Sequence, residues 1–234
     1  MSRKVCIVTG SRAEYGLLYP ILKEIKRHDD LDMQLVATTM HLSDEFGLTY
    51  QQIEKDGFKI DKKINNLSKL DSNSSMAKSS GMATTLLADC FEKLSPDIVL
   101  LLGDRFETHA AATTALLMKI PIAHIHGGEV TQGAVDEQLR HAITKMSYLH
   151  FCSTDTYRQR IIQMGEDSSK VFNFGAPGID NIVNLDLLTR NDLNKQLDWN
   201  LPKKFALFTY HPTTLENSGL NQDLDLIFDT LVKI

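Results

Sequence analysis

Cysteine is scarce in this sequence. Cys6, Cys90 and Cys152 are odd in number, lie far apart and form no Cys-x-x-Cys pair. That argues against a disulfide framework and a thiolate metal site, and fits small core residues in a reducing cytoplasm. No apolar stretch approaches the roughly 18 residues of a membrane span. Long basic runs are also missing and the formal net charge is -5, so neither nucleic acid nor an anionic membrane is expected as a partner. The chain has no Gly-x-Gly-x-x-Gly, no Walker loop and no Gly-x-Ser-x-Gly elbow, which removes the usual signals for a dinucleotide, a P-loop nucleotide and a serine hydrolase. Met1–Thr9 has a basic start but only a short apolar run before Gly and charge. It reads as a first core strand and not as a signal peptide.

What is present is an ordinary globular composition, 42% apolar and 24% charged, with a regular alternation of patterns. Strands are expected at Val5–Thr9, Met33–Met40, Phe58–Ile64, Asp97–Gly103, Pro121–His126, Tyr148–Ser153 and Val171–Gly175. Helices are expected at Tyr15–Arg27, Phe46–Lys55, Met76–Leu94, Phe106–Lys119, Val135–Met146 and Thr156–Met164, with a polar loop over Asn65–Ser75. The run Asp-Ile-Val-Leu-Leu-Leu-Gly at 97–103 is apolar throughout, as in a strand covered on both faces. Repeated β-α units of this length predict α/β architecture, a doubly wound parallel sheet of the Rossmann-like kind over residues 1–175.

Beyond Gly175 the texture changes. A helical connecting segment is expected over 176–203 and a strand at Lys204–Tyr210, followed by a helix from about Leu224. Residues 204–234 would then open a second Rossmann-like domain. One strand and one helix cannot bury a core, so that domain is expected to be truncated.

In open parallel sheets, ligands bind beyond the carboxyl ends of the strands. After the first strand, Gly10-Ser11-Arg12 leads into a helix N-terminus, which suits a diphosphate or is an ordinary turn with a solvated Arg. After the fourth, Asp104 beside Arg105 is placed for acid/base work or for N-capping the next helix. After the fifth comes the densest cluster: His124, His126, Gly127, Gly128 and Glu129, then Asp136, Glu137, Arg140 and His141. On a strand, His124 and His126 would share a face. The glycines would let backbone approach a ligand, and Asp136–Arg140 and Glu137–His141 are spaced for pairing along a helix. His-x-His with carboxylates is a conceivable zinc or manganese set, but it lacks a recognised spacing signature, and no metal is expected.

Taken together and in order, Ser11-Arg12-Ala13-Glu14-Tyr15, Gly103-Asp104-Arg105, His124–Glu129, Asp136-Glu137 with Arg140–Lys145, and Tyr210–Thr214 resemble the hydrolysing UDP-N-acetylglucosamine 2-epimerases of sialic and legionaminic acid biosynthesis. The similarity runs through nearly the whole chain. It implies the first half of a two-domain, glycosyltransferase-B-like architecture with a UDP-sugar in the cleft between halves, no cofactor, and a cytoplasmic homodimer. The implied reaction is anti-elimination of UDP across carbons 1 and 2, followed by hydration to the free mannosamine-type sugar. The resemblance puts Asp104, Asp136 and Glu137 on the family's acid/base carboxylates and His211 on its nucleotide-side and catalytic histidine. Arg12 and Arg105 fall near the diphosphate, and Tyr15, Gly16, Gly127 and Gly128 join the substrate-binding set. Some relatives carry Glu where this chain has His126, so Glu129 is a candidate substitute. His126 is expected to polarise or protonate while Asp104 or Glu137 acts as base. A glycosyltransferase of the same build, or a fragment that binds nucleotide sugar and turns over little by itself, are the alternatives. Whether the sugar is UDP-N-acetylglucosamine or its 2,4-diacetamido-6-deoxy analogue is open.

Overall fold

The computed structural model describes residues 2–67, 73–210 and 220–232. Its strands are β1 (Arg3–Thr9), β2 (Leu31–Thr38), β3 (Lys62–Ile64), β4 (Ile98–Leu102), β5 (Ile122–Ile125), β6 (Leu149–Cys152) and β7 (Val171–Asn173). Its helices are α1 (Arg12–Arg27), α2 (Tyr50–Lys55), α3 (Asn73–Leu94), α4 (Phe106–Leu117), α5 (Asp136–Met146), α6 (Asp155–Gln163), α7 (Pro177–Asn184), α8 (Arg190–Leu197) and α9 (Leu220–Leu231).

All paired strands run parallel, in the order β3-β2-β1-β4-β5-β6-β7. The expected doubly wound Rossmann-like sheet is therefore present. Alternate strand residues feed two separate core layers. Cys6, Val8, Val99 and Leu101 pack with Leu87 and Phe91 of α3, the alanines of α4 and Ile143 of α5. Ile7, Leu35, Leu100 and Leu102 pack with Leu18 and Leu22 of α1 and Ile53 of α2. Side chains alternate across a strand, so a run that is apolar at every position is covered on both faces.

Three expected boundaries moved for local reasons. The second strand stops at Thr38 because Thr39 takes a left-handed φ of 53° and opens a 3-10 turn over Thr39–Leu42. The expected Phe46–Lys55 helix shortens to α2, since Gly47 closes a separate 3-10 turn over Asp44–Phe46 at φ 78°. The Phe58–Ile64 strand keeps only its last three residues, although Phe58 is buried beneath α1. Of the expected Asn65–Ser75 loop, residues 73–75 belong to α3, and 68–72 lie outside the described residues.

One compact unit comprises Met1–Thr131 and Asp136–Val183. Its last helix is tied in by a backbone device. Pro20 sits inside α1 and has no N–H to give to the carbonyl one turn back, at Gly16. Asn181 Nδ2 of α7 donates to that carbonyl instead, at 2.7 Å. The second unit is Gln132–Val135 with Asn184–Ile234. Within it, Thr189 caps α8 by accepting from the Asp192 amide, and Arg190 donates to the carbonyls of Leu201 and Pro202. The expected strand at Lys204–Tyr210 is not formed. Leu207 is 89% exposed and among the described residues no strand pairs with the segment, and without a ladder an apolar run does not become a strand.

Candidate active site

The sheet order reverses between β1 and β4, and this switch point opens a crevice at the carboxyl edge. A cleft of about 400 Å³ lies there. Ser11, Ala13, Glu14 and Leu17 form one wall, Leu102–Arg105 the floor, and His126, Glu129, Thr131, Asp136 and Arg140 the other wall.

The β1–α1 corner is built by a capping box. Ser11 caps α1, its Oγ accepting from the Glu14 amide, while the Glu14 carboxylate accepts from the amides of Gly10 (2.7 Å) and Ser11 (3.1 Å). These are two of the amides that the sequence offered to a diphosphate, and a carboxylate of the chain already holds them. Glu14 also accepts from Thr108 and lies 4.0 Å from Arg105 Nε, which donates to Glu107 at 2.6 Å. Burial, with Glu107 alongside, pushes the Glu14 carboxyl up to about 8 against the pull of Arg105 and the two amides. A Cβ on Gly10 would stand 2.3 Å from Glu107 Oε1, so only glycine fits here.

The opposite wall is held by Arg140. Its guanidinium donates to Asp104, to Thr131 Oγ1 at 3.2 Å and to the His126 carbonyl at 2.7 Å, and lies 3.5 Å from Glu129. Two loops, β4–α4 and β5–α5, thus meet on one side chain. Asp104 does not cap the helix that follows; the capping position of α4 is Arg105, which makes no side-chain cap. Burial raises the Asp104 carboxyl above its ordinary value despite the Arg140 charge. His126 stands just past β5 at φ 64°, and its Nδ1 meets Glu129 Oε1 at 2.5 Å. Ser153 donates to the same oxygen at 2.7 Å. Burial works against ionisation of Glu129, but the His126 and Ser153 hydrogen bonds outweigh it and hold the carboxyl below its usual range. With Nδ1 engaged, the imidazole's free nitrogen is Nε2, which is buried and has no partner among the described protein atoms.

Several placements differ from those expected. His124 and His126 do not share a face, because β5 ends at Ile125 and the left-handed turn re-aims His126. His124 is fully buried, bonded to the Gly103 carbonyl at 2.8 Å and to Thr144 at 3.2 Å. Arg140 pairs with Asp104 and not with Asp136, four residues back. Glu137, by contrast, does meet His141, at 3.9 Å, and accepts from the Thr131 amide at 3.1 Å. Tyr15 is 4% exposed; its hydroxyl donates to Asp56, and its ring packs on Tyr19 and Phe58. Arg12 is exposed and off the cleft, and Gly16 serves α7. The glycines after His126 make room for protein. A Cβ on Gly128 would lie 2.7 Å from the Tyr157 carbonyl, and one on Gly127 would lie 3.0 Å from both His124 and Thr144. Asp104, Arg105, His126, Glu129 and Asp136 do line the cleft. His211 lies outside the described residues. Among the described residues no group of three or more His, Cys, Asp or Glu is arranged to hold a metal ion.

Residues 23–234 match the family model described as UDP-N-acetylglucosamine 2-epimerase. The chain belongs to this 2-epimerase family. Over 229 residues, 98% of its length, it is 45% identical to the hydrolysing GDP/UDP-N,N'-diacetylbacillosamine 2-epimerase of Campylobacter jejuni, of which it covers 59%. It is 42% identical over 92% of its length to the hydrolysing UDP-N,N'-diacetylbacillosamine 2-epimerase of Legionella pneumophila, covering 57% of that protein. The crystal structure of the Neisseria meningitidis UDP-GlcNAc 2-epimerase bound to UDP-GlcNAc superposes with a TM-score of 0.71 at 26% identity, over 83% of this chain and 53% of that one. The chain thus spans somewhat over half the length of the curated relatives it matches.

In this 2-epimerase-family chain, sequence reasoning missed Glu14, Glu107, Ser153 and Thr131 as site neighbours. Glu14 had a readable signal, since Ser-x-x-Glu at a helix start is a capping box. Glu107 is two residues from its partner Arg105, whereas the Ser153–Glu129 contact spans 24 residues and has no local signature.

Proposed function

We propose that this chain is the part of a hydrolysing 2-epimerase that carries the proton-transfer groups, acting on a UDP-activated 2-acetamido sugar. The observation that carries this reading is the pairing of two ionisable dyads in one cleft, Asp104 with Arg140 and His126 with Glu129. In the proposed reaction a base takes the proton from carbon 2 while the bond from carbon 1 to the UDP oxygen breaks, giving a 1,2-unsaturated sugar. Water then adds its oxygen to carbon 1, and a proton reaches carbon 2 on the opposite face. UDP and the free 2-epimeric sugar result. Inversion needs a group that removes a proton and another that returns one, because a single base tends to return it to the face it left. Asp104, with its raised carboxyl, and His126, oriented through Nδ1 by Glu129, supply such a pair. Glu129 is in this reading the orienting partner and not itself the base, and Asp136, on the same wall, is a third carboxylate facing substrate.

The identities of 45% and 42% to enzymes named for a diacetylated bacillosamine favour a 2,4-diacetamido-6-deoxy sugar over UDP-N-acetylglucosamine. Incubating the full-length protein with each UDP-sugar and identifying the released sugar tests both parts. UDP release with a free mannosamine-type sugar and no acceptor is expected; a requirement for an acceptor would instead indicate a glycosyltransferase. If His126→Ala turned over at the parental rate, the role given to His126 would fall.

A further inference from the structure

Behind the cleft, a run of polar contacts passes through His124 on β5, a fully buried residue of the His124–Glu129 cluster. Its Nε2 lies 2.8 Å from the carbonyl oxygen of Gly103. A carbonyl only accepts, so Nε2 carries the proton and Nδ1 is the free lone pair, facing the hydroxyl of Thr144 at 3.2 Å. Burial pushes the imidazole down to about 3, so the ring stays neutral through the physiological range and this tautomer persists. Gly103 takes φ 86°, and its own amide donates to the Ile125 carbonyl at 3.1 Å. Both polar groups of Gly103 are therefore spent on β5, and the next residue in the chain is Asp104. From Asp104 the contacts run to Arg140, then one helical turn along α5 to Thr144, whose single hydroxyl proton goes either to the Arg140 carbonyl or to His124 Nδ1.

We propose that His124 is a positioning residue, whose Nε2–H holds the Gly103 carbonyl and thereby fixes the direction in which the Asp104 carboxylate enters the cleft against Arg140. The kinetic part rests on the reading of Asp104 as a reacting group. The geometric part does not. A misplacement of a catalytic group by about 1 Å costs on the order of 100-fold in rate, so a single buried hydrogen bond at this hinge is enough to matter.

Two substitutions of similar polarity separate positioning from mere folding. In His124→Gln the side-chain amide nitrogen sits where Nε2 was and can still donate to Gly103. In His124→Asn the shorter amide reaches only the Thr144 side. Variants of the full-length protein would be compared for kcat and KM on the UDP-acetamido sugar, for Tm, and for the acid limb of the kcat–pH profile. The expected result is a kcat loss of about 100-fold in His124→Asn with KM within about threefold, together with a shifted acid limb. His124→Gln should return to within about tenfold of the parent at a similar Tm. Equal kcat in the two variants at matched Tm, or a parental kcat in His124→Asn, overturns the proposal. Nitrogen-15 NMR of labelled histidine in the parent tests the geometry by itself: His124 should show a protonated Nε2 and a bare Nδ1 from about pH 5 to 8. The opposite tautomer, or titration within that range, overturns it as well. A parent that turns over no UDP-acetamido sugar removes the assigned reaction and the kinetic claim, and leaves the NMR result to decide the hydrogen bond.

Discussion

The corner between β1 and α1 and the corner between β5 and α5 are made from the same kinds of residue, carboxylates and an arginine, yet they end in opposite states. At the first, Glu14, Arg105 and Glu107 engage one another and the backbone around Gly10, and the atom left over, Glu107 Oε2, is buried and off the cleft lining, so the cluster is closed toward the cleft. At the second, Arg140 gathers Asp104, the His126 carbonyl and Thr131, while Glu129 holds only one side of the His126 ring, leaving Nε2 without a protein partner beside the cleft. A closed cluster stabilises and positions. A cluster with an unengaged, oriented proton-transfer atom can do chemistry, because a proton donor or acceptor already committed to the protein is not available to substrate.

The largest expected effect tests that contrast directly. Asp104→Asn removes the carboxylate proposed to transfer a proton, and kcat for UDP release from the nucleotide sugar should fall by roughly 1,000-fold. Glu107→Gln, in the closed cluster and off the cleft lining, should change kcat by less than about tenfold, measured under the same conditions. Equal losses in the two would erase the distinction between the corners.

Next comes the packing that aims the open corner. Gly128→Ala places a methyl 2.7 Å from the Tyr157 carbonyl at a backbone φ of 75°. Urea unfolding should show a loss of about 2–4 kcal/mol, from overpacking together with a strained left-handed residue. A loss below about 0.5 kcal/mol would mean that the glycine is there for ligand approach after all.

Glu14 and His124 sharpen the comparison through pH. Folded Glu14 keeps its proton up to about 8, whereas the unfolded group releases it near its ordinary value of 4.5. Between those values the folded state binds more protons, so this group's contribution to stability falls as pH rises from 4.5 to 8. Folded His124 stays neutral down to about 3, whereas the unfolded ring gains a proton near 6.5, so its contribution falls as pH drops from 6.5 toward 3. Glu14→Gln should therefore gain on the parent progressively from about pH 5 to pH 8, by up to a few kcal/mol in chemical denaturation. A variant whose advantage is the same at both ends of that range would show that Glu14 ionises normally in the fold.

The smallest effect concerns a residue that sequence placed at the ligand. Tyr15→Phe breaks only the bond to Asp56 and should cost about 1 kcal/mol in stability, with KM for the nucleotide sugar within twofold of the parent. A KM raised several-fold would return Tyr15 to the binding surface.

The strand-helix alternation was legible because burial on both sheet faces imposes an apolar run of strand length, and a covering helix imposes its own period; both are local. The positions of Asp104, His126 and Glu129 beyond strand ends, and of Asp136 at the start of the helix that follows, were legible for the same reason. What failed to show was which partner each group takes. Asp104 and Arg140 are 36 residues apart, whereas Asp136 and Arg140 are one helical turn apart and looked the better pair. Likewise, the period of two put His124 and His126 on one face, and only the left-handed residue ending the strand sent one into the core and the other to the cleft.

The sequence by itself therefore determined the doubly wound sheet, the edge on which chemistry would sit, and the residue types gathered there. The tertiary structure alone decided which of those residues are spent on holding the chain and which keep an atom free. Partner choice among charged groups is settled by distance and by competition for a few donors across the folded interior, and neither quantity is written along the chain.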